Sequence, residues 1–344
     1  MQKKKSLGQH FLHSSKIIFD IVAAGNIRPD DIVLEIGSGE GTLTSALLQT
    51  GAHVISVEKD DRLIPVLQEK FAKEISIGQF RLIHQDILQC SIESLILSDL
   101  DAVRGGQKKG EEAYSLYGDE NFLKSNKEMR QMCKYKLVAN IPYYITGQIL
   151  RMFLEAKNQP KDMVLLVQKE VAERIVAKEN KQHGKESLLS LSVKAFGEPK
   201  IIRIVKKGSF NPPPKVDSAV LHISDISRKR FVDFPRAWPW GKAEKLFFEC
   251  LHAGFAHKRK QLLPNLLSAN FSLNLQNMTT TKDLLTPSVS KFEKGKIMKA
   301  FEKAGIDPKA RAEDIPLETW VKLCKNLENY RKKTTRFKTR AREK

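Results

Sequence analysis

Apolar residues recur along this chain in two rhythms, and the rhythms divide it. In "HSSKIIFDIVAAGNI" (13–27) the apolar positions 17, 18, 21 and 22 share one helical face. Ser14 or Ser15 is placed to cap that helix and Gly25 to stop it. Short apolar, β-branched runs follow: "DIVLEIG" (31–37), "HVISVE" (53–58), "FRLIHQD" (80–86), "KLVAN" (136–140) and "MVLLVQ" (163–168). Helical patterns such as 61–72 and 147–156 lie between several of them. Strands this uniformly apolar, alternating with helices, predict a parallel sheet covered on both faces. "KIIRIVKKGSF" (200–210) and "SAVLHI" (218–223), joined by a proline-rich turn, predict an antiparallel hairpin at the sheet edge. The expected fold class is α/β, a doubly wound Rossmann-like sheet with that edge hairpin.

From about residue 241 the period is helical: "KAEKLFFECLHAGFA", "RKQLLPNLLSA", "KGKIMKAFEKAG" and "LETWVKLCKNLE" predict a small all-helical C-terminal domain. The expected division is a first domain over 1–230, a helical domain over 241–330 and a tail over 331–344. Residues 92–134 break the pattern. They are polar, punctuated by glycine and long for a connection inside a compact domain, which predicts a surface insertion.

Charge narrows the function classes. The chain has 59 Lys and Arg against 40 Asp and Glu, a formal net charge of +19. The segment "RKKTTRFKTRAREK" (331–344) carries +7 of it, so +12 is spread over the rest. An excess of this size predicts attraction to a polyanion, and nucleic acid is the partner expected. Cys90, Cys133, Cys250 and Cys324 are far apart, without a CxxC pair. No metal and no disulfide framework are therefore expected, which fits a reducing cytoplasm. "MQKKKSLGQHFL" lacks the apolar run of a signal peptide, and no segment is long enough to span a membrane.

The chemistry begins at "LEIGSGEGTLT", where Gly37, Gly39 and Gly41 stand between a strand and a helix. Such a turn lets a ligand approach the backbone where a β-carbon would collide. The third glycine comes one residue earlier than in the dinucleotide fingerprint, a spacing typical of S-adenosylmethionine methyltransferases. The next strands end in Glu58 and Asp86, at the same edge of a doubly wound sheet. Glu58 suits ribose hydroxyls and Asp86 an adenine amino group, so the cofactor expected contains adenosine.

The fourth strand delivers "NIPYY" (140–144) to that crevice. An exocyclic amine such as adenine N6 is a poor nucleophile because its lone pair is delocalised into the ring. Two acceptors on its N–H bonds favour the pyramidal, reactive nitrogen. Asn140 offers a side-chain carbonyl and Ile141 a main-chain one, with Pro142 biasing Ile141 towards extended backbone. Tyr143 offers a face for the base to stack on. Tyr144 is expected to pack inward in a structural role, and no catalytic histidine is expected.

These residues resemble the ribosomal RNA adenine N6,N6-dimethyltransferases that act on small-subunit (16S) rRNA. The match runs in order through "SLGQHFL" (6–12), "VLEIGSGEGTLT" (33–44), "VEKD" (57–60), "HQDIL" (84–88), "LVANIPYYIT" (137–146), "VLLVQKEVAERIVA" (164–177), "FNPPPKVDSAVL" (210–221) and "FAHKRKQLLPNLL" (255–267). The resemblance implies a class I methyltransferase with cofactor contacts at His10, Leu12, Gly37, Glu58, Asp86 and Asn140. It implies stacking of the target adenine on Tyr143, with Phe210 near its other face. It also implies two methylations on each of two neighbouring adenosines in a terminal hairpin loop, in ribosome biogenesis, by a cytoplasmic monomer. RNA phosphates would be held by basic runs, the candidates being Lys3, Lys4, Lys5, Arg228, Lys229, Arg230, Lys258, Arg259, Lys260 and the tail. Three other functions stay open: a macrolide-resistance type enzyme acting on large-subunit rRNA, a non-catalytic nucleic-acid binder on the same fold, and a small-molecule methyltransferase. The 92–134 insertion departs from the family pattern, and 268–344 matches it weakly.

Overall fold

A computed structural model describes residues 10–96, 134–177, 185–232, 242–269, 271–272, 289–290 and 293–327. The chain divides into two units, Met1–Val176 with Phe196–Ser227, and Ala177–Ala195 with Arg228–Lys344.

In the first unit the apolar runs become β2 (Ile32–Ile36), β3 (His53–Glu58), β4 (Phe80–His84), β5 (Tyr135–Asn140) and β6 (Asp162–Gln168), following a two-residue β1 (Phe11–Leu12). They alternate with α1 (Ser15–Ala24), α2 (Thr42–Leu48), α3 (Ile64–Lys70), α4 (Ala72–Ser76), α5 (Thr146–Leu154) and α6 (Lys169–Val176). The unit closes with β7 (Glu198–Val205), β8 (Phe210–Asn211) and β9 (Ser218–Ser224). Seven strands form one sheet in the order β4-β3-β2-β5-β6-β9-β7. The first five are parallel, β9 runs antiparallel to β6, and β7 antiparallel to β9. The later strand of the expected hairpin thus lies inside the earlier one. Burial explains the choice: β9 is buried along most of its length, whereas β7 alternates as a half-solvated edge does. Residue 210 leaves the sheet, because β8 pairs with β1 instead, Leu12 opposite Phe210.

Helix α1 buries Ile17, Ile18 and Ile21, with Ser14 at its N-cap position. Gly25 ends it in right-handed backbone, and the left-handed residue is its neighbour Asn26. The expected surface insertion opens differently from its composition: residues 92–96 are helical, and Ile92, Leu95 and Ile96 are buried. Residues 97–133 lie outside the described residues, as do Lys3, Lys4, Lys5 and the tail.

The second unit contains α7 (Leu188–Phe196), α8 (Lys242–Gly254), α9 (Leu262–Ser268), α10 (Lys294–Ala304) and a helix over residues 317–327. Residues 177–195, which the sequence assigns to the first domain, belong here. Leu191 and Ala195 on α7 join an apolar core with Phe247, Leu262, Phe301 and Trp320. The approach to α7 is tied by Lys194 Nζ to Glu186 Oε1 at 2.6 Å, a pair that is mostly buried. Core packing sets one test. A β-carbon on Gly254 would fall 2.5 Å from Trp320 Cη2 and 2.9 Å from Leu262 Cδ1. Gly254→Ala is therefore expected to cost about 1–3 kcal/mol, read as a lower denaturant midpoint at unchanged slope.

Candidate active site

The parallel registers bring four strand ends to one edge of the sheet. Ile36 lies opposite Val57 and Ala139, and Glu58 opposite His84, so the segments that follow β2, β3, β4 and β5 emerge side by side. One cleft is lined by His10, Leu12, Gly37, Gly39, Glu58, Asp86, Asn140, Ile141, Pro142 and Tyr143. It lies at the carboxyl ends of the strands, the usual ligand position in an open α/β sheet.

The glycine loop is held in left-handed backbone. Gly39 has φ 57°, and a β-carbon there would meet Phe11 Cε1 at 2.8 Å. Gly41 has φ 74°, with Phe71 Cε2 at 2.6 Å from the same test position. Both positions thus exclude a side chain for two reasons, strain and space. The loop is also tied to Glu58, whose Oε2 accepts from Gly39 N at 3.0 Å. Glu58 Oε1 accepts from Lys59 N at 2.9 Å and Asp60 N at 2.8 Å. Three main-chain donors fix this nearly buried carboxylate, and Oε2 keeps a lone pair for a ligand hydroxyl.

Beneath the loop, Glu35 is fully buried and accepts from Thr44 Oγ1 at 2.6 Å. Burial raises its pKa from 4.5 to about 7. The unfolded chain loses this proton near pH 4.5 and the folded chain holds it to about 7. The folded state binds more protons across that interval, so stability falls as pH rises through it. Glu35→Gln is expected to recover roughly 3 kcal/mol at pH 8 and little at pH 4. Thermal unfolding at the two pH values checks this; an unchanged pH slope in the variant contradicts it.

Asp86 faces the cleft beside Lys59, whose Nζ lies 2.7 Å from Asp86 Oδ2. Leu88 N donates to Asp86 Oδ1 at 3.1 Å. The Lys59 hydrogen bond, with help from Leu88, holds the carboxyl below the usual range.

At the end of β5, Asn140 Nδ2 donates to the main-chain carbonyl of His10 at 2.9 Å. A carbonyl only accepts, so the amide NH2 must face His10, and Oδ1 is left on the opposite side. The His10 ring has Nδ1 2.8 Å from the Pro212 carbonyl, which places the proton on Nδ1 by the same logic. This ring stacks on Tyr143 with centroids 5.9 Å apart. The Tyr143 hydroxyl lies 2.6 Å from Ser218 Oγ, and burial pushes its pKa up.

Two aromatic residues sit differently from expectation. Tyr144 is 67% exposed and lines the cleft, rather than packing inward. Tyr143–Ile145 is a single 3-10 turn, in which successive side chains diverge by about 120°, so the turn that sends Tyr143 in sends Tyr144 out. Phe210 is buried in the core with Leu12 and is not among the residues lining the cleft. Three partners lie beyond sequence reasoning: Phe11 against Gly39, Lys59 on Asp86, and Ser218 under Tyr143. All three stand in motifs shared with the family, but nothing local pairs them with these partners.

The basic candidates separate in the second unit. Arg228 Nε pairs with Glu244 at 2.8 Å and Arg230 Nε with Glu318 at 3.5 Å, both side chains being mostly buried. These arginines hold the helical unit together. Lys258, Arg259 and Lys260 are exposed on a turn pinned by buried Asn265, whose Nδ2 donates to the carbonyls of Gly254 and His257 at 2.6 and 3.2 Å. Among the described residues, no group of three His, Cys, Asp or Glu side chains could hold a metal, and no helix is long and apolar enough to cross a membrane.

A ribosomal RNA small subunit methyltransferase A from Dehalococcoides mccartyi is 38% identical over 324 residues, 94% of this chain and 88% of its own. The protein of the same description from Clostridium botulinum is 36% identical over 320 residues, 93% and 92% of the two chains. Two crystal structures share the fold at 23% identity. A dimethyladenosine transferase from Plasmodium falciparum has a TM-score of 0.61, covering 91% of this chain and 96% of its own. The 23S rRNA methyltransferase ErmE has a TM-score of 0.59, covering 92% and 99%. The family model described as ribosomal RNA adenine dimethylase matches residues 1–304. The chain belongs to the ribosomal RNA adenine dimethylase family.

Proposed function

We propose that this chain dimethylates N6 of two adjacent adenosines in the 3′-terminal hairpin loop of small-subunit rRNA, using S-adenosylmethionine, during ribosome biogenesis. The observation that carries this is the fixed amide of Asn140, whose acceptor is turned away from His10 in a cleft that also holds Tyr143. The cleft fits the cofactor. Gly37, left-handed at φ 76°, has nothing nearer to its β-carbon position than the Asn140 carbonyl at 4.0 Å and leaves backbone open to it, the remaining lone pair of Glu58 suits a ribose hydroxyl, and the Asp86 carboxylate suits an adenine amine. His10, Leu12 and Asn140 line the same space. When bound, S-adenosylmethionine supplies an electrophilic methyl group on a positively charged sulfur.

The protein's part is to bind and orient. Asn140 Oδ1 and the Ile141 carbonyl accept the two N–H bonds of N6, so its lone pair turns out of the ring plane. Pro142 biases Ile141 towards extended backbone, and Tyr143 stacks the base while Ser218 anchors its hydroxyl. The surplus proton leaves N6 for water after transfer. An adenosine within RNA must be splayed from its stack to reach such a site. The exposed Lys258, Arg259 and Lys260 are suited to flanking phosphates.

The macrolide-resistance reading shares the fold, as ErmE does, but relatives at 36–38% identity carry the small-subunit description. The intact Asn140-Ile141-Pro142-Tyr143 run, with the amide so oriented, favours catalysis over a non-catalytic binder. Binding of small-subunit RNA is expected to fall steeply with salt, with a slope near −0.7 per single-strand phosphate contact. Release of S-adenosylhomocysteine when the chain and S-adenosylmethionine are mixed with unmodified small subunits, and not with large ones, tests the proposal. Salt-insensitive binding, or turnover on large subunits alone, would overturn it.

A further inference from the structure

Tyr144 lines the cleft, yet two-thirds of its surface faces solvent. Its neighbour Tyr143 is backed on one side by His10 and tied by its hydroxyl to Ser218. Phe210 lies in the core. Of the tyrosine and phenylalanine rings lining the cleft, Phe11 covers Gly39 and Tyr143 is anchored, which leaves Tyr144 as the one turned outward.

We infer that Tyr144 is a second stacking platform, for the unpaired base of the nucleotide next to the one held on Tyr143. The inference rests on the function proposed above, since it requires a single-stranded RNA substrate with adjacent target bases. Two neighbouring nucleotides meet two neighbouring tyrosines whose Cα atoms are about 3.8 Å apart. The 3-10 turn directs one ring inward to Ser218 and the other to the mouth of the cleft. One base is thus held for reaction while the other is parked, and the strand need only shift by one nucleotide for their roles to exchange. Stacking suits this task because every base has a π-face, so either adenosine, methylated or not, is accepted. The cofactor is the rival occupant, because Tyr144 acts on Lys59, the partner of Asp86, and affinity for S-adenosylhomocysteine separates the two.

Exposure makes the residue replaceable without loss of fold, which thermal melting of the variants confirms beforehand. The probe is an unmodified RNA hairpin spanning the 3′-terminal loop of small-subunit rRNA, titrated against wild type, Tyr144→Ala and Tyr144→Phe. Tyr144→Ala is expected to weaken RNA binding roughly 5- to 100-fold, and Tyr144→Phe by less than about twofold, since stacking needs the ring and not the hydroxyl. Affinity for S-adenosylhomocysteine is expected to be unchanged in both. RNA affinity equal to wild type in Tyr144→Ala overturns the platform, as does a loss confined to S-adenosylhomocysteine. A wild-type chain that modifies only large-subunit RNA removes the functional assignment instead, and the same comparison run on that RNA still decides the platform.

Discussion

Asn140→Ala is expected to lower methyl transfer by roughly 10²- to 10³-fold, the range seen when one preorganised polar group is removed from an active site. The expectation follows from which atom is free. The His10 carbonyl takes the Asn140 NH2 at 2.9 Å, so the side chain cannot flip without burying two acceptors against each other. The oxygen therefore stands ready for the amine before any substrate arrives. Cofactor affinity should fall much less, because Glu58, Asp86 and the glycine loop do not depend on this amide. Single-turnover methylation beside titration with S-adenosylhomocysteine separates the two effects. Full turnover by the variant would remove the role assigned to Asn140.

Glu58→Ala is expected to act on the opposite side of that split. Its carboxylate satisfies the N–H groups of Gly39, Lys59 and Asp60, in a position only 5% exposed. Removing it orphans three donors, one buried and two partly buried, at about 1–3 kcal/mol for each one that water does not reach. The glycine loop loses its tie to β3, and a ligand ribose loses its acceptor. Affinity for S-adenosylhomocysteine should drop by a factor of 100 or more, since about 2.7 kcal/mol suffices for that. Glu58→Gln, which keeps one acceptor and the volume, should lie between. A Glu58→Ala chain that binds within threefold of wild type would contradict the assignment.

Much of this site was legible in the sequence because it is built from strand ends. Gly37, Glu58, Asp86 and Asn140 each follow an apolar run, and parallel strands in a doubly wound sheet end at one edge. The contacts that tune those residues were not legible, because they join distant parts of the chain. Asn140 and His10 are 130 positions apart, and Tyr143 and Ser218 are 75. Residues 177–195 fall within the expected first domain because nothing local says which core an apolar face there would join, and Leu191 and Ala195 join that of the helical unit. The positive run at 228–230 illustrates a different limit. Charge count marked it for RNA, whereas Glu244 and Glu318, remote in sequence, take Arg228 and Arg230 into the fold. Tyr144, expected to pack inward, is turned outward by the same 3-10 turn that brings Tyr143 to Ser218, a divergence that adjacency in sequence does not reveal.

The central claim is that this cleft places two methyl groups on N6 of each of two adjacent adenosines of small-subunit rRNA. Small subunits lacking the modification, incubated with the purified chain and isotopically labelled S-adenosylmethionine, can be digested and their nucleosides mapped by mass spectrometry. The account predicts four labelled methyl groups per particle, as N6,N6-dimethyladenosine at two neighbouring positions in the 3′-terminal hairpin loop. Label found only on large-subunit RNA, or no label above the Asn140→Ala control, would contradict it.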